Sequence, residues 1–335
     1  MLYRQLGVTD IEVSVVGMGC RQLSTRHGNE WGNSDLQESL DAVAAALDAG
    51  INLFDTAESY DGGGSEEILG RALDGRRHQA VVATKFDAAH SDPHALRRAL
   101  DGSLMRLGTD YVDILQMHFP HADMRLEDTM ATLRDLRDEG KIRSAGVCNF
   151  GASLLKEVRG HWHVQTNQLP YSLLWRAIEH DAMSLSGDLG LNVLAYSPLA
   201  QGLLSGLWRR VEDVPPDRRL TRLFSSRRGG AHGEQGCEEL VFRAIDQIAS
   251  LCDSIGMAMP QVALAWVLAR PDITAAIVGG HNIRQVQRNA AAADIVLPDA
   301  VIRQLSAITE PVKQAIGANA DMWEHRSRLE HPAAA

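Results

Sequence analysis

The chain has 335 residues, 45% of them hydrophobic, and 33 Lys and Arg against 43 Asp and Glu give it a net charge of -10. That length suits one α/β barrel or two ordinary domains, and an acidic balance without a basic stripe argues against nucleic acid as a partner. No apolar run approaches the ~20 residues of a membrane span, the start Met1-Leu2-Tyr3-Arg4-Gln5 lacks a signal-peptide pattern, and Cys20, Cys148, Cys237 and Cys252 lie too far apart for zinc or a disulfide framework. A cytosolic protein is expected.

Residues 2–16 read as a β-hairpin, with Gly7 and Thr9-Asp10 as turn residues, running into Val13-Ser14-Val15-Val16-Gly17. Ser34-Asp35-Leu36-Gln37 fits a capping box with Ser34 as cap. Leu36, Leu40, Val43, Ala44 and Leu47 then share one helical face, and Gly50 supplies a left-handed stop. The apolar run Ile51 to Phe54 is a buried strand that breaks at Asp55 into a polar loop ending in Tyr60. Asp61-Gly62-Gly63-Gly64 reads as a loop that sets Tyr60, and Ser65 as the cap of a helix burying Ile68, Leu69, Ala72 and Leu73.

The alternation continues with a strand over Ala80 to Lys85 and a helix that opens on Asp92-Pro93 and stops at Gly108. A strand from Tyr111 to His118 follows, then a helix through Met130, Leu133 and Leu136 to Gly140 and a strand from Ile142 to Cys148. Val164 to Gln168 and Leu191 to Tyr196 are further strands. Residues 199–235 show no sustained period, carry many arginines and contain Pro215-Pro216, so this long stretch reads as a lid. Helices over 240–255 and 261–268, a strand at Ala275 to Val278 and a helix at Ile283 to Ala293 complete the pattern, with a C-terminal tail over about 310–335. Strands separated by helices force parallel crossovers, and eight of them favour a closed (β/α)8 TIM barrel in one domain, with an N-terminal β-hairpin and a long loop after strand 7. A doubly wound nucleotide-binding sheet needs a third glycine after Gly17 and Gly19, and none is in place.

Asp55, Tyr60, Lys85 and His118 each follow an apolar strand-like run, so a barrel brings all four to one rim. A tyrosine is a poor acid at neutral pH unless its phenolate is stabilised. Lys85 is expected to stabilise it, Asp55 to keep Lys85 charged, and a neutral His118 to hydrogen-bond a carbonyl oxygen. No side chain supplies hydride, so carbonyl reduction at this site implies a nicotinamide.

These segments, Phe54-Asp55-Thr56-Ala57 with Tyr60, Ala83-Thr84-Lys85 and Met117-His118, resemble those that carry the Asp, Tyr, Lys and His tetrad of the aldo-keto reductase superfamily, and the resemblance runs from about Tyr3 to Asn289. It implies that the hairpin closes the barrel bottom. It also implies that Cys148 (usually Ser), Asn149 and Gln168 hold the nicotinamide carboxamide, that Tyr196 stacks on the ring, and that Ser197, Leu199, Gln201 and Gly202 wrap the pyrophosphate. Gly279, His281, Arg284, Gln285, Arg288 and Asn289 fall where the family grips the adenosine 2'-phosphate, with His281 and Arg288 departing from its usual residues. NADPH is the expected cofactor, with NADH possible.

Trp31, Phe86, Phe119 and Met124 are expected to line the pocket for a small carbonyl substrate, with Met322-Trp323 folding over it. The lid arginines are expected to hold the dinucleotide, favour anionic substrates or form a solvated loop. Two other functions compete: a cofactor-sensing binding subunit with slow or no turnover, and a Schiff-base lyase using Lys85. The sequence leaves the oligomeric state open.

Overall fold

The computed structural model describes residues 1–24, 35–230 and 232–330. Strands β1 (Tyr3–Gln5) and β2 (Glu12–Ser14) form an antiparallel hairpin with Tyr3 opposite Ser14. Val16–Gly19 is β3, the first barrel strand, so the Val13–Gly17 run divides between hairpin and barrel. The chain then alternates through α1 (Leu36–Asp48), β4 (Leu53–Asp55), α2 (Gly64–Ala72), β5 (Val81–Phe86), α3 (Pro93–Leu107), β6 (Val112–Met117) and α4 (Leu126–Asp138). It continues with β7 (Ile142–Cys148), α5 (Ala152–His161), β8 (Thr166–Pro170), α6 (Ala182–Asp188) and β9 (Asn192–Tyr196). Helices α7 (Glu238–Ser254) and α8 (Met259–Leu268) precede β10 (Ile273–Gly279), α9 (Ile283–Ala291) and α10 (Asp299–Ile316). Strands β3 to β10 pair in parallel in chain order, and β10 closes on β3. The fold is the expected (β/α)8 TIM barrel with an N-terminal hairpin.

Period-2 alternation sorts each strand's side chains between two cores. Leu53, Val81, Ala83, Ile114, Leu194 and Ala275 meet inside the barrel, and Leu6, Ile11 and Val13 of the hairpin belong to the same cluster, so the hairpin plugs the bottom. Phe54, Val82, Phe86, Leu115 and Val147 face outward into the layer shared with the helices. Higher inside the barrel the wall turns polar: Thr166 donates to Gln116 at 3.1 Å, and above them stand Asp55, Lys85 and Gln168.

Local signals set several helix ends as expected. Asp92 accepts from the His94 and Ala95 amides with Pro93 at the first helical position, and Gly108 ends α3 at φ 62°. Four expectations shift. The cap of α1 is Asp35, which accepts from Gln37 N at 3.0 Å, while Ser34 lies outside the described residues. The buried stripe of α1 is Ser39, Ala42, Val43 and Ala46, with Leu36, Leu40 and Leu47 only partly buried on its flanks. Ser65 lies within α2 rather than capping it, because its hydroxyl is engaged with the Cys20 carbonyl and the Thr56 hydroxyl. The tail proper starts only at Gly317, since α10 runs to Ile316.

Among the described residues between β9 and α7, the regular elements are short 3-10 turns, the longest over Ala200–Ser205. This segment is fastened to the tail through Arg222, which donates to the carbonyls of Asn319 (2.9 Å), Asp321 (3.2 Å) and Ile316 (3.3 Å) and pairs with Glu234 at 2.6 Å. Beyond it, Glu330 accepts from the Ala152 and Ser153 amides and so caps α5 from 178 and 177 residues away. Among the described residues no single helix is long and apolar enough to cross a membrane.

Candidate active site

Asp55 ends β4 and Lys85 stands one residue before the end of β5, both pointing into the barrel. The Lys85 ammonium donates to Asp55 Oδ2 (2.7 Å), the Thr56 carbonyl (2.7 Å) and the Tyr60 hydroxyl (3.3 Å), which uses its three donors. Burial alone would lower its pKa, but the charges of Asp55 and Tyr60 outweigh that and hold it above its ordinary value, so the ammonium stays charged. Gln168 donates to the other Asp55 oxygen at 2.7 Å. Tyr60 begins a turn in which Asp61, Gly62 and Gly63 have positive φ. At Gly63 (φ 94°) a Cβ would press within 2.5 Å of Arg106 Cδ, so the turn that aims the phenol has no room for a side chain there.

The Tyr60 and His118 rings meet edge to face with centroids 5.5 Å apart. Burial, then the nearby charges of Lys85 and Arg21, keep His118 well below its usual pKa, so the imidazole is neutral. Ser59 Oγ lies 3.4 Å from its Nδ1. For Tyr60 the outcome differs from the sequence expectation: burial raises the phenol pKa, and Lys85 and Arg21 pull it down without reversing the shift. The proton is therefore retained until a stronger base than water forms beside it.

The tetrad rim opens into a cavity of ≈ 700 Å³. Asp55, Tyr60, His118, Phe119, Asn149, Gln168, Tyr196 and Trp323 surround one end, and Gly279, His281, Gln285, Arg288 and Asn289 the other, with Ser197, Leu199, Gln201 and Gly202 on the wall. Five non-glycine residues among those described have positive φ: Asp61 (55°), Asn149 (62°), Ser197 (52°), Ala200 (48°) and Gln201 (56°). All five leave the C-terminal ends of barrel strands, where backbone strain concentrates at working sites.

The profile of the Aldo/keto reductase family matches residues 16–310. The chain belongs to that family. It is 34% identical over 321 residues, 88% of this chain and 94% of the relative, to the NADH-specific methylglyoxal reductase of Escherichia coli (strain K12). Among solved structures, the glycerol dehydrogenase AKR11B4 of Gluconobacter oxydans superposes with a TM-score of 0.79 at 28% identity, covering 91% of this chain and 94% of that one. An aldo-keto reductase from Klebsiella pneumoniae in complex with NADPH superposes at 0.73 with 30% identity, covering 92% and 96%. The chain is thus an oxidoreductase of the aldo/keto reductase family, whose general chemistry is carbonyl reduction with NAD(P)H.

The donor set of this aldo-keto reductase fits a dinucleotide. Three amide side chains line the cavity: Gln168, Asn149 and Asn289, the last fixed by donation to the Gly279 carbonyl at 3.0 Å. Gln285 accepts from the His281 amide at 2.9 Å, and Asn282 caps α9 by accepting from Gln285 N. Gly202 (φ 99°) lies under Trp208, whose ring would sit 3.0 Å from an added Cβ. Tyr196 donates to Asn149 Oδ1 at 2.8 Å, and Asn149 donates to the His118 carbonyl at 3.0 Å, so both ends of that amide are engaged within the wall.

Several expected site residues lie elsewhere. Phe86 is 1% exposed in the barrel-to-helix layer, because it neighbours Lys85 on the strand and so points the opposite way. Cys148 is buried and off the cavity wall, and burial pushes its thiol up, so it remains protonated. Met124 packs partly buried against the outer core, Met322 is 1% exposed, Arg284 is exposed and off the wall, and Trp31 lies outside the described residues. Of the arginines expected to make the lid basic, only Arg218 reaches the wall. Arg210 pairs with Asp213 and Arg228 with Glu212, each at 2.8 Å, Arg222 with Glu234, and Arg219 donates to the Val214 carbonyl.

Sequence reasoning missed Arg21, Gln22 and Trp208 on the wall. Gln22 donates to the carbonyls of Gly19 (2.6 Å) and Gly280 (3.2 Å), pinning the loop after β3 to the loop after β10. The signal available was its position directly after the first barrel strand, where rim residues concentrate.

Proposed function

We propose that this aldo-keto reductase reduces an aldehyde or ketone to its alcohol, with NADPH preferred and NADH also used. The observation that carries this reading is the buried Asp55–Lys85–Tyr60 chain beneath a cavity whose wall includes a neutral His118. When bound, the nicotinamide supplies hydride to the carbonyl carbon. Tyr60 and His118 hold the carbonyl oxygen, and Tyr60 O–H gives its proton to that oxygen as negative charge develops there. Lys85 stays charged throughout and stabilises the phenolate left behind, while Asp55 keeps the ammonium in place. Asn149, Gln168 and Tyr196 suit the nicotinamide end, and His281, Arg288, Gln285 and Asn289 the adenosine end. The NADH specificity of the E. coli relative puts both cofactors into the test.

The test follows consumption of NADPH, and separately NADH, with aromatic, aliphatic and sugar aldehydes and simple ketones, comparing wild type with Tyr60→Phe. The variant is expected to lose about 10²–10⁴-fold in turnover with cofactor affinity little changed. Full turnover in the variant would sink the assignment of Tyr60. Tight cofactor binding by wild type with no carbonyl turned over would favour a cofactor-sensing role instead.

A further inference from the structure

A neutral His118 carries one proton between two ring nitrogens, and the bond made by one nitrogen decides which of them holds it. Among the described residues the hydrogen-bonding partner of the ring is Ser59, whose Oγ lies 3.4 Å from Nδ1. Ser59 stands immediately before the turn Tyr60–Gly63, where a serine hydroxyl ordinarily accepts from the amides of the turn, yet its side chain makes no such bond. Gly62 N donates to the Ser59 carbonyl at 3.4 Å instead. The hydroxyl is thereby left to the imidazole.

The two residues come from different loops, and one strand end places both. Glu58 N, next to Ser59, donates to the Lys85 carbonyl at 3.2 Å, and His118 N donates to the Phe86 carbonyl at 3.0 Å, so consecutive carbonyls of β5 hold the two backbones. Glu58 is fixed further by its Oε1, which accepts from Asp87 N at 2.7 Å and lies 2.8 Å from His90 Nδ1. On the far side Asn149 donates to the His118 carbonyl at 3.0 Å. The ring packs between Tyr60, at 5.5 Å, and Phe119, at 5.4 Å, which leaves it little room to turn over. With Nδ1 toward Ser59, Nε2 is the nitrogen left for a ligand in the cavity that His118 lines.

We propose that Ser59 is a positioning residue: its hydroxyl donates to Nδ1 of His118 and so keeps the ring proton on Nε2, where it hydrogen-bonds the carbonyl oxygen of the substrate. The inference rests on the carbonyl-reducing reading of the site. The opposite tautomer, with Nδ1–H donating to Ser59, would turn the Nε2 lone pair toward those of the oxygen, and the second donor beside Tyr60 would be lost. A serine hydroxyl suits the task because it rotates freely, and Ser59 is exposed, so water satisfies its oxygen while its proton is committed to the ring. Neither Ser59 nor His118 loses a proton in the reaction. The carbonyl carbon receives hydride, the oxygen receives the Tyr60 proton, and Nε2–H stays in place, its bond strengthening as the oxygen gains charge.

The experiment records proton–nitrogen correlation spectra of the full-length enzyme with isotope-labelled histidine at about pH 8, above the ordinary histidine range. Wild type, Ser59→Ala and Ser59→Thr are compared, and His118 is identified by the signal missing from His118→Gln. Wild-type His118 is expected in the Nε2–H form, Ser59→Ala as a mixture of tautomers, and Ser59→Thr, which restores a hydroxyl, in the wild-type form. An Nδ1–H ring in wild type overturns the proposal, and so does a Ser59→Ala spectrum that keeps the wild-type tautomer. In steady-state reduction of an aldehyde, Ser59→Ala is expected to lose about fivefold in kcat with KM within about twofold, as for one net hydrogen bond that matters most when the oxygen gains charge. Ser59→Thr is expected to recover that loss. An unchanged kcat in Ser59→Ala, or a loss that Ser59→Thr does not recover, also counts against Ser59. Wild type that turns over no carbonyl while His118 stays in the Nε2–H form counts against the carbonyl-reducing reading instead.

Discussion

Lys85 has three N–H donors, and Asp55, Thr56 and Tyr60 accept from all of them. A saturated, buried ammonium held above its ordinary pKa is no nucleophile, which removes the physical basis for a Schiff-base lyase. The four tetrad residues were legible in the sequence because Asp55, Lys85 and His118 end apolar runs and Tyr60 closes the polar loop that follows one, which is enough to put them at the rim. The same logic misplaced Phe86, since it ignored that neighbours on a strand face opposite ways. Arg284 and Arg288, both expected at the adenosine 2'-phosphate, stand one helical turn apart, and of the two Arg288 is on the cavity wall. Changing Arg288 to Ala should therefore raise KM for NADPH about tenfold while sparing NADH, through loss of a charge-assisted contact to the 2'-phosphate. Arg284→Ala should leave both constants within about twofold, as for an exposed charge. Steady-state kinetics with the two cofactors checks this, and equal effects of the two substitutions would contradict the assignment.

Among the elements, β6 joins its neighbours through a residue that strand periodicity does not mark as special. Asp113 is 1% exposed and accepts from Arg77 (2.8 Å), Arg143 (2.6 Å) and the Val82 amide (2.9 Å), so one carboxylate links the approach to β5, β6 and β7. Arg143 also reaches Asp10 in the hairpin turn at 3.1 Å. Removing the carboxylate leaves a buried amide and two guanidinium groups without their acceptor. Both arginines retain some exposure, so the cost is smaller than for a fully buried pair, about 2–3 kcal/mol for Asp113→Ala. Urea unfolding should show a lower midpoint with an unchanged slope. Asp113→Asn should lose less, because one oxygen still accepts. Helix ends such as Asp92-Pro93 and Gly108 were readable for the opposite reason: their partners lie within a few residues.

Across the whole molecule, contacts between distant segments gather where no local pattern points. Glu179, after β8, binds Arg176 at 2.8 Å, Tyr171 at 2.6 Å and Lys313 of α10 at 3.1 Å, with Arg270 nearby. Burial pushes its carboxyl up, and the hydrogen bonds from Arg176 and Tyr171 and the pull of Lys313 more than offset this, leaving it at about 2. A depressed carboxylate contributes stability above its unfolded pKa and loses it as pH falls through its folded one. Glu179→Gln should thus be less stable than wild type by roughly 2–3 kcal/mol at neutral pH. That gap should narrow as pH falls from about 4.5 toward 2, and equilibrium unfolding across this range checks the sign. A gap that stayed constant would mean that the charge plays no part.

The sequence by itself determined the order of strands and helices, the closed parallel barrel and the tetrad, because period-2 and 3.6-residue patterns, caps and strand ends are written within short windows. Only the tertiary structure decided which of the charged residues reach the cavity. Arg210, Arg222 and Arg228 turned away to carboxylates of their own segment, Arg21 and Arg218 came onto the wall, and the tail reached back through Arg222 and Glu330. The physical reason is that an ion pair or a remote cap depends on where two far-separated backbones meet, and no periodicity along the chain encodes that meeting.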